Sequence, residues 1–218
     1  MKSRKFATKK MVLLAMLAAI AYLAVVLIRI PVVLFLSYEP KDVIVVISGF
    51  LFGPLPAGVV SLVVSLVEMF SLSDTGPIGA LMNFLSTCSF ACTAAFIYHK
   101  NRTGKGAVTG LICGSLVMIG VMLLWNYMIT PLYMTGTTRQ DIAAMLLPVF
   151  LPFNTLKAGL NTAITLLIYK PLTGALRKAR LLPETSRKTT SAKPGIYLLG
   201  SLLLVSCILL LLVLRGIL

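Results

Sequence analysis

Long apolar blocks recur along this chain, separated by short loops rich in Gly, Pro, Lys and Arg, and nothing else constrains its fold as strongly. The blocks run from about Met11 to Ile28, Ala57 to Leu72, Ile78 to Tyr98, Ala107 to Ile129, Pro152 to Tyr169 and Ile196 to Leu214. Spans of ~20 apolar residues match the ~30 Å hydrocarbon core of a bilayer. Of the 218 residues, 58% are hydrophobic, and a soluble domain of this length has too little interior to hide them. The expected fold class is therefore all-α, an integral membrane helical bundle. One further block, Val43 to Phe52, stops at Gly53-Pro54-Leu55-Pro56. At ~1.5 Å per residue it reaches only about half the hydrocarbon core, so this helix must be short, tilted or extended by its neighbours.

The formal charge of +14 raises the question of nucleic acid, and its distribution answers it. Lys2, Arg4, Lys5, Lys9 and Lys10 precede the first block. Lys100, Arg102 and Lys105 form a central loop, and Lys170, Arg177, Lys178, Arg180, Arg187, Lys188 and Lys193 lead into the last block. Fifteen of the twenty Lys/Arg thus fall in three clusters that abut spans and alternate with the opposite side. This is the positive-inside pattern, with added attraction to anionic lipid, and it excludes nucleic acid as a partner. The N-terminus and the basic loops are expected on the cytoplasmic side, and the C-terminus outside. The first block continues to Ile28 with no small-residue cleavage site, so it is expected to be a retained helix. Cys88, Cys92, Cys113 and Cys207 all lie within apolar blocks, where buried free thiols are expected rather than disulfides or a metal site.

Polar side chains inside a span are costly, by roughly 2.5–3.5 kcal/mol for a charge on the insertion scale, and each needs a reason. Glu68 lies in the third block and Lys157 in the sixth, accompanied by Asn83, Asn126, Asn154 and Asn161. Threading direction gives their depth. Glu68 and Asn126 fall near the outer ends of outward-running helices, and Asn83, Asn154 and Lys157 near the outer starts of inward-running ones. Five polar residues from four helices therefore converge on the outer third of the bilayer. Asn154, Lys157 and Asn161 are spaced i, i+3, i+7 and share one helical face, which reads as the wall of an outward-open pocket. A pairing of Glu68 with Lys157 is the structural alternative. Phe35, Tyr38, Phe84, Trp125, Tyr127, Tyr133 and Phe153 lie at the same level, as an interfacial belt or as walls for a flat ligand.

No phosphate-binding loop, zinc-protease motif or nucleophile elbow occurs, and the single histidine, His99, lies in the basic central loop. No inverted repeat with paired broken helices is evident, so any uphill transport would draw its energy from partner proteins. On the first helix Ala15 and Ala19 form a small-xxx-small pair suited to close approach of another helix, supported by Ala18.

Several segments carry a family resemblance. They are Tyr38-Glu39-Pro40-Lys41-Asp42, Phe52-Gly53-Pro54, Gly76-Pro77-Ile78-Gly79 through Asn83-Phe84, Asn126-Tyr127, Pro131-Leu132-Tyr133, and Leu151-Pro152-Phe153-Asn154-Thr155-Leu156-Lys157. In order and spacing, over about Met11 to Arg180, the chain resembles the substrate-binding (S) components of energy-coupling factor (ECF) vitamin transporters, specifically those for riboflavin. The resemblance implies a six-helix S-component core that captures riboflavin from outside, with the Arg29–Lys41 loop closing over the vitamin. It implies no cofactor and no catalysis. Asn126, Asn154 and Lys157 match positions expected to hydrogen-bond the flavin ring or ribityl chain. Tyr38, Asp42, Glu68 and Asn83 complete the expected ligand-binding set. Ala15 and Ala19 match the motif that contacts the ECF transmembrane coupling protein, which two cytoplasmic ATPases would drive.

The expected organisation is a basic tail (1–10), a six-helix membrane domain (11–170), a basic linker (171–195) and an additional C-terminal transmembrane helix (196–218). An S component for another vitamin or a flavin-like precursor is the nearer alternative. An intramembrane enzyme acting on a lipid-linked substrate is the more distant one, with Glu68 and Lys157 as its only acid–base candidates.

Overall fold

A computed structural model describes residues 2–34, 36–72, 76–134, 136–178 and 194–216. Residues 73–75 of the expected turn Ser73–Pro77, Phe35, the side chain of Tyr133 and the linker between Lys178 and Pro194 lie outside the described residues. Helix α1 (Lys2–Leu27) leads into an antiparallel hairpin, β1 (Ile30–Val33) and β2 (Leu36–Tyr38), with Ile30 opposite Tyr38 and Pro31 opposite Ser37. There follow α2 (Lys41–Phe52), α3 (Pro54–Ser71), α4 (Gly76–Lys100), α5 (Gly104–Tyr133), α6 (Arg139–Met145), α7 (Leu151–Lys178) and α8 (Pro194–Leu214). Among the described residues, six stretches are long and apolar enough to cross a membrane, from Thr8–Leu27 to Pro194–Leu214. The segment after α1, expected as a loop, is thus largely sheet. Its edge strand tolerates Pro31, which has no N–H to offer a neighbour.

Helix α2 is the short block, and its placement organises the bundle. Its 12 residues are almost all buried, from Lys41 to Phe50, and it packs against α1, α3, α4 and α7. A helix enclosed on every side needs no amphipathic stripe, which is why Val43–Ile47 reads as one apolar run. Gly49 lets α3 and α4 close in, since a Cβ there would meet those of Ala95 and Ala57 at 2.8 and 3.1 Å. Gly53 makes the turn into α3 at φ +107°, a conformation that favours glycine, and Pro54 fills the first helical position, where its missing N–H costs nothing.

The sixth expected helix begins earlier and ends later than its apolar block. Thr138 caps α6 through a reciprocal capping box with Asp141, and the helix passes through a π turn (Leu146–Phe150) directly into α7. In that turn the N–H of Leu151 donates to the carbonyl of Leu146, five residues back. Pro148 and Pro152 remove two regular donors here, so they widen the helix by one residue rather than opening it afresh. Pro171 likewise does not end α7, which runs on to Lys178. Helix α8 is seated against α7, with Cys207 over Gly159 and Gly200 against Leu167, so the two run antiparallel. All four cysteines are free thiols, and only Cys207 is fully buried.

Helices α4 and α5 approach most closely at Gly110 and Gly114, where a Cβ would fall 2.7 Å from the Ala94 carbonyl oxygen and 2.6 Å from that of Phe90. Gly110→Leu must push these backbones apart and is expected to cost about 1–3 kcal/mol, as overpacking does. Gly120→Leu, whose Cβ meets nothing within 4 Å, should be close to neutral. Thermal unfolding of the two variants in the same detergent checks the contrast.

Candidate functional site

One end of the bundle, opposite the loop at 101–103, encloses a cavity of about 400 Å³. The end of α1 contributes Val25, followed by Arg29, and the hairpin supplies Pro31, Leu34, Leu36 and Ser37, with Glu39 just beyond it. Glu68 and Leu72 come from the end of α3, and Gly79, Met82, Asn83 and Ser86 from the start of α4. Met122 and Asn126 come from the late part of α5, and Phe153, Asn154 and Lys157 from the start of α7. The four helices expected to present polar groups at one depth do meet around one space.

Two ionic clusters stiffen its wall. Lys41, 1% exposed, lies between two carboxylates: its Nζ is 2.8 Å from Glu39 Oε2 and in direct contact with Glu68 Oε2. Arg29 Nε lies 3.5 Å from Glu39 Oε1, and its Nη1 donates to the Leu72 carbonyl at 3.1 Å, tying the foot of the hairpin to α3. Asn83 Nδ2 donates to Glu68 Oε2 at 3.2 Å. Glu68 Oε1, also buried, has no hydrogen-bond partner among the described residues.

The second cluster centres on Asp42, which is fully buried. Its Oδ2 takes the Lys157 ammonium at 3.2 Å and the Asn161 amide at 3.0 Å, and its Oδ1 accepts from the Thr87 hydroxyl at 2.6 Å. Tyr38 donates its hydroxyl to Asn161 Oδ1 at 3.2 Å. Burial, and Asp42 nearby, push the Tyr38 phenol up from its ordinary value, so it remains a protonated donor. Lys157 also donates to Ser86 at 3.3 Å, bridging the second cluster to the cavity wall.

Of the seven residues expected to bind ligand, Glu68, Asn83, Asn126, Asn154 and Lys157 line the cavity. Tyr38 and Asp42 do not; they stand behind the wall and hold Asn161 and Lys157. The alternative pairing of Glu68 with Lys157 is also corrected, since each carries its own counter-charge, Lys41 and Asp42. Lys41, expected at the end of the Arg29–Lys41 loop, is instead buried at the head of α2. The three-residue face of α7 divides: Asn154 and Lys157 reach the cavity, while Asn161 turns inward to α2.

The amides on the wall are held by their own helices. Asn126 donates to the Met122 carbonyl at 2.7 Å and accepts from Thr130 at 3.0 Å, and Asn154 donates to the Phe150 carbonyl at 2.8 Å. Among the described aromatic residues at this level only Phe153 lines the cavity, and Tyr127 is exposed on the outside of α5. No group of three or more His, Cys, Asp or Glu side chains suited to a metal ion occurs among the described residues. Ala15 and Ala19 are exposed on α1, away from this site.

Comparison with known proteins gives this arrangement a family. The sequence model described as "ECF transporter, substrate-specific component" matches residues 9–169. Riboflavin transporter RibU of Staphylococcus aureus is 32% identical over 179 residues, covering 78% of this chain and 93% of that protein. Riboflavin transporter FmnP of Bacillus subtilis is 27% identical over 172 residues, covering 74% and 90%. A solved chain described under "Structure and mechanism of the S component of a bacterial ECF transporter" superposes with a TM-score of 0.65 at 32% identity, covering 78% of this chain and 99% of its own. The chain belongs to the substrate-specific components of ECF transporters. It is a multi-pass membrane transport protein and not an enzyme.

Removing one partner of a buried ion pair leaves an uncompensated charge and costs roughly 3–5 kcal/mol. Lys41→Met, which abandons both Glu39 and Glu68, is expected to lose stability on that scale. Adding Glu68→Gln to it should restore much of the loss, because Glu39 retains Arg29. Thermal unfolding of the single and double variants measures the recovery.

Proposed function

We propose that this chain is the riboflavin-binding subunit of an ECF transporter that takes the vitamin up across the cell membrane of a prokaryote. The observation that carries the reading is the cavity. Its volume falls in the range of small-molecule sites, and it joins apolar walls from Leu36, Met82, Met122 and Phe153 to hydrogen-bonding groups from four helices. That mixture suits a solute with a flat, partly apolar ring and a polar chain. The names of the relatives, riboflavin transporters of two bacteria, point to the same solute.

Asn154 uses one N–H on Phe150, leaving its carbonyl oxygen and second N–H for the solute, and Lys157 presents an ammonium fixed by Asp42. With Asn126, these form the proposed hydrogen-bonding set for riboflavin. Glu68 and Asn83 form the opposite wall, and Tyr38 and Asp42 act through the residues they hold. The charge distribution supports an orientation with the N-terminus and basic loops in the cytoplasm, the cavity open outward and the C-terminus outside. The exposed Ala15 and Ala19 are the proposed contact for the transmembrane coupling protein, with two cytoplasmic ATPases beneath.

Purified protein should quench riboflavin fluorescence at nanomolar concentration, and a wild-type affinity weaker than micromolar would reject the flavin assignment. Asn154→Ala should weaken binding by about 1–3 kcal/mol, the usual cost of an unmatched polar group in a buried site. Ala15→Leu with Ala19→Leu should leave binding intact and abolish uptake when the coupling module is co-expressed. Equal uptake by that variant and the wild type would remove α1 from the docking surface.

A further inference from the structure

Far from the cavity residues already described, Cys88 and Cys92 stand one turn apart on α4 with their sulfurs in contact, Sγ to Sγ 3.4 Å. Both are half-buried, and the Cys92 thiol also donates to the Pro54 carbonyl at 3.3 Å, at the start of α3. Gly58 of α3 faces the pair without a side chain, since a Cβ there would lie 3.6 Å from each sulfur. Gly58 is itself half-buried, so the two thiols stand in a groove between α3 and α4 that opens to the bundle surface. A disulfide does not fit this pair: Cβ atoms one helical turn apart are separated by ~5–6 Å, whereas the bond needs about 3.5–4.5 Å. A closed zinc site does not fit either, because no third His, Cys, Asp or Glu joins them among the described residues.

We propose that Cys88 and Cys92 form a dithiol site for an uncharged, lipid-soluble trivalent arsenical, which both sulfurs hold in one ring. The sulfur spacing selects the central atom. At ~2.3 Å from each sulfur, the length of a metal–thiolate bond, a bridging atom would subtend about 95° between sulfurs 3.4 Å apart. That angle suits a pyramidal centre bearing a lone pair, such as arsenic(III); it is too narrow for a tetrahedral ion and far from a linear one. In the reaction an aryl arsenic(III) dihydroxide exchanges its two hydroxyls for the two sulfurs. Each hydroxyl leaves as water with one thiol proton, and the arsenic keeps its oxidation state. The pair lies within the span Gly76–Lys100, so the ligand must reach it through lipid, where a charge is costly. The space over Gly58 takes the arsenic, and the aryl group points out along the groove. The site is independent of which solute the cavity takes.

The test treats the full chain in lipid vesicles with phenylarsine oxide and reads the intact mass after washing with excess monothiol. An adduct on one thiol is exchanged away, whereas an adduct on two is retained until a 1,2-dithiol is added. Wild type should retain one phenylarsenic per chain, and Cys113→Ser should match it. Cys88→Ser and Cys92→Ser should each retain at least about a hundredfold less, because the second bond is intramolecular and its loss removes the gain of a linked pair. A wild type without adduct, or either of these two variants retaining it as wild type does, would overturn the proposal. A second measurement on the wild type alone compares phenylarsine oxide with its ring-carboxylate analogue. The charged analogue should label at least about tenfold more slowly, as a site reached through hydrocarbon requires, and equal rates would overturn the placement.

Discussion

The structure depends on the burial of two oppositely charged neighbours, Lys41 and Asp42, at the head of a helix too short to span a membrane. Each reaches a different partner set: Lys41 meets Glu39 and Glu68, and Asp42 meets Lys157, Thr87 and Asn161. Through these contacts one dipeptide links the hairpin end, α3, α4 and α7. Taking such charges from water costs several kcal/mol per ion even after relaxation, so the clusters are weak evidence for stability as such. What they supply is position. A shift of any one element would leave a charge buried without its partner, a far worse state than either the intact pair or an apolar replacement. The cavity wall is therefore held in register by electrostatic penalties that apolar packing alone does not impose.

The same wall shows how backbone chemistry aims a side chain. Pro148 and Pro152 lie on either side of the point where α6 passes into α7, and the ladder between them widens to a π turn. That turn rotates the residues beyond it relative to those before, as single π turns do. The freed geometry brings the Phe150 carbonyl to the Asn154 amide at 2.8 Å, which fixes the rotamer of Asn154 as it faces the cavity. One turn further, Lys157 reaches Asp42, and beyond it Asn161 reaches the same carboxylate. Lys157 and Asn161 thus serve one anion from consecutive turns, as residues spaced i, i+4 can.

Much of this was legible in the residues alone, and the failures have a common cause. Block lengths and the Lys/Arg distribution are local properties, so the spans could be placed from sequence. Depth followed from threading direction, which is why Glu68, Asn83, Asn126, Asn154 and Lys157 could be gathered before any coordinates. Lys41 and Asp42 could not be assigned in that way. Apart from Glu39, their partners lie 27, 45, 115 and 119 positions away along the chain, and a Lys-Asp pair after a proline looks like a loop to any local criterion. The Glu68–Lys157 alternative failed for the same reason, since it matched the only two charges recognised within the spans, while the true counter-ions, Lys41 and Asp42, were placed at the end of the outer loop. The continuity of α6 with α7 was hidden by prolines, which usually mark helix starts.

Helix α8 raises a question of geometry that the bundle itself answers. The family's sequence model ends at residue 169 and the solved relative covers 78% of the chain, so the core can be defined without this helix. It is nevertheless seated. Gly159 admits Cys207 where a Cβ would lie 2.5 Å from the sulfur, and Gly200 admits the Leu167 side chain. Lipid tails are as apolar as leucine, so close approach at small residues, rather than hydrophobicity, is what holds one membrane helix to another. The C-terminal half of α8 joins Val32, Leu36 and Phe153 in one apolar cluster, and α8 touches β1. Its neighbours are α7 and the hairpin, whereas α1 packs on α2 and α3 and leaves Ala15 and Ala19 exposed. The added helix therefore thickens the bundle beside the cavity and leaves that α1 face uncovered.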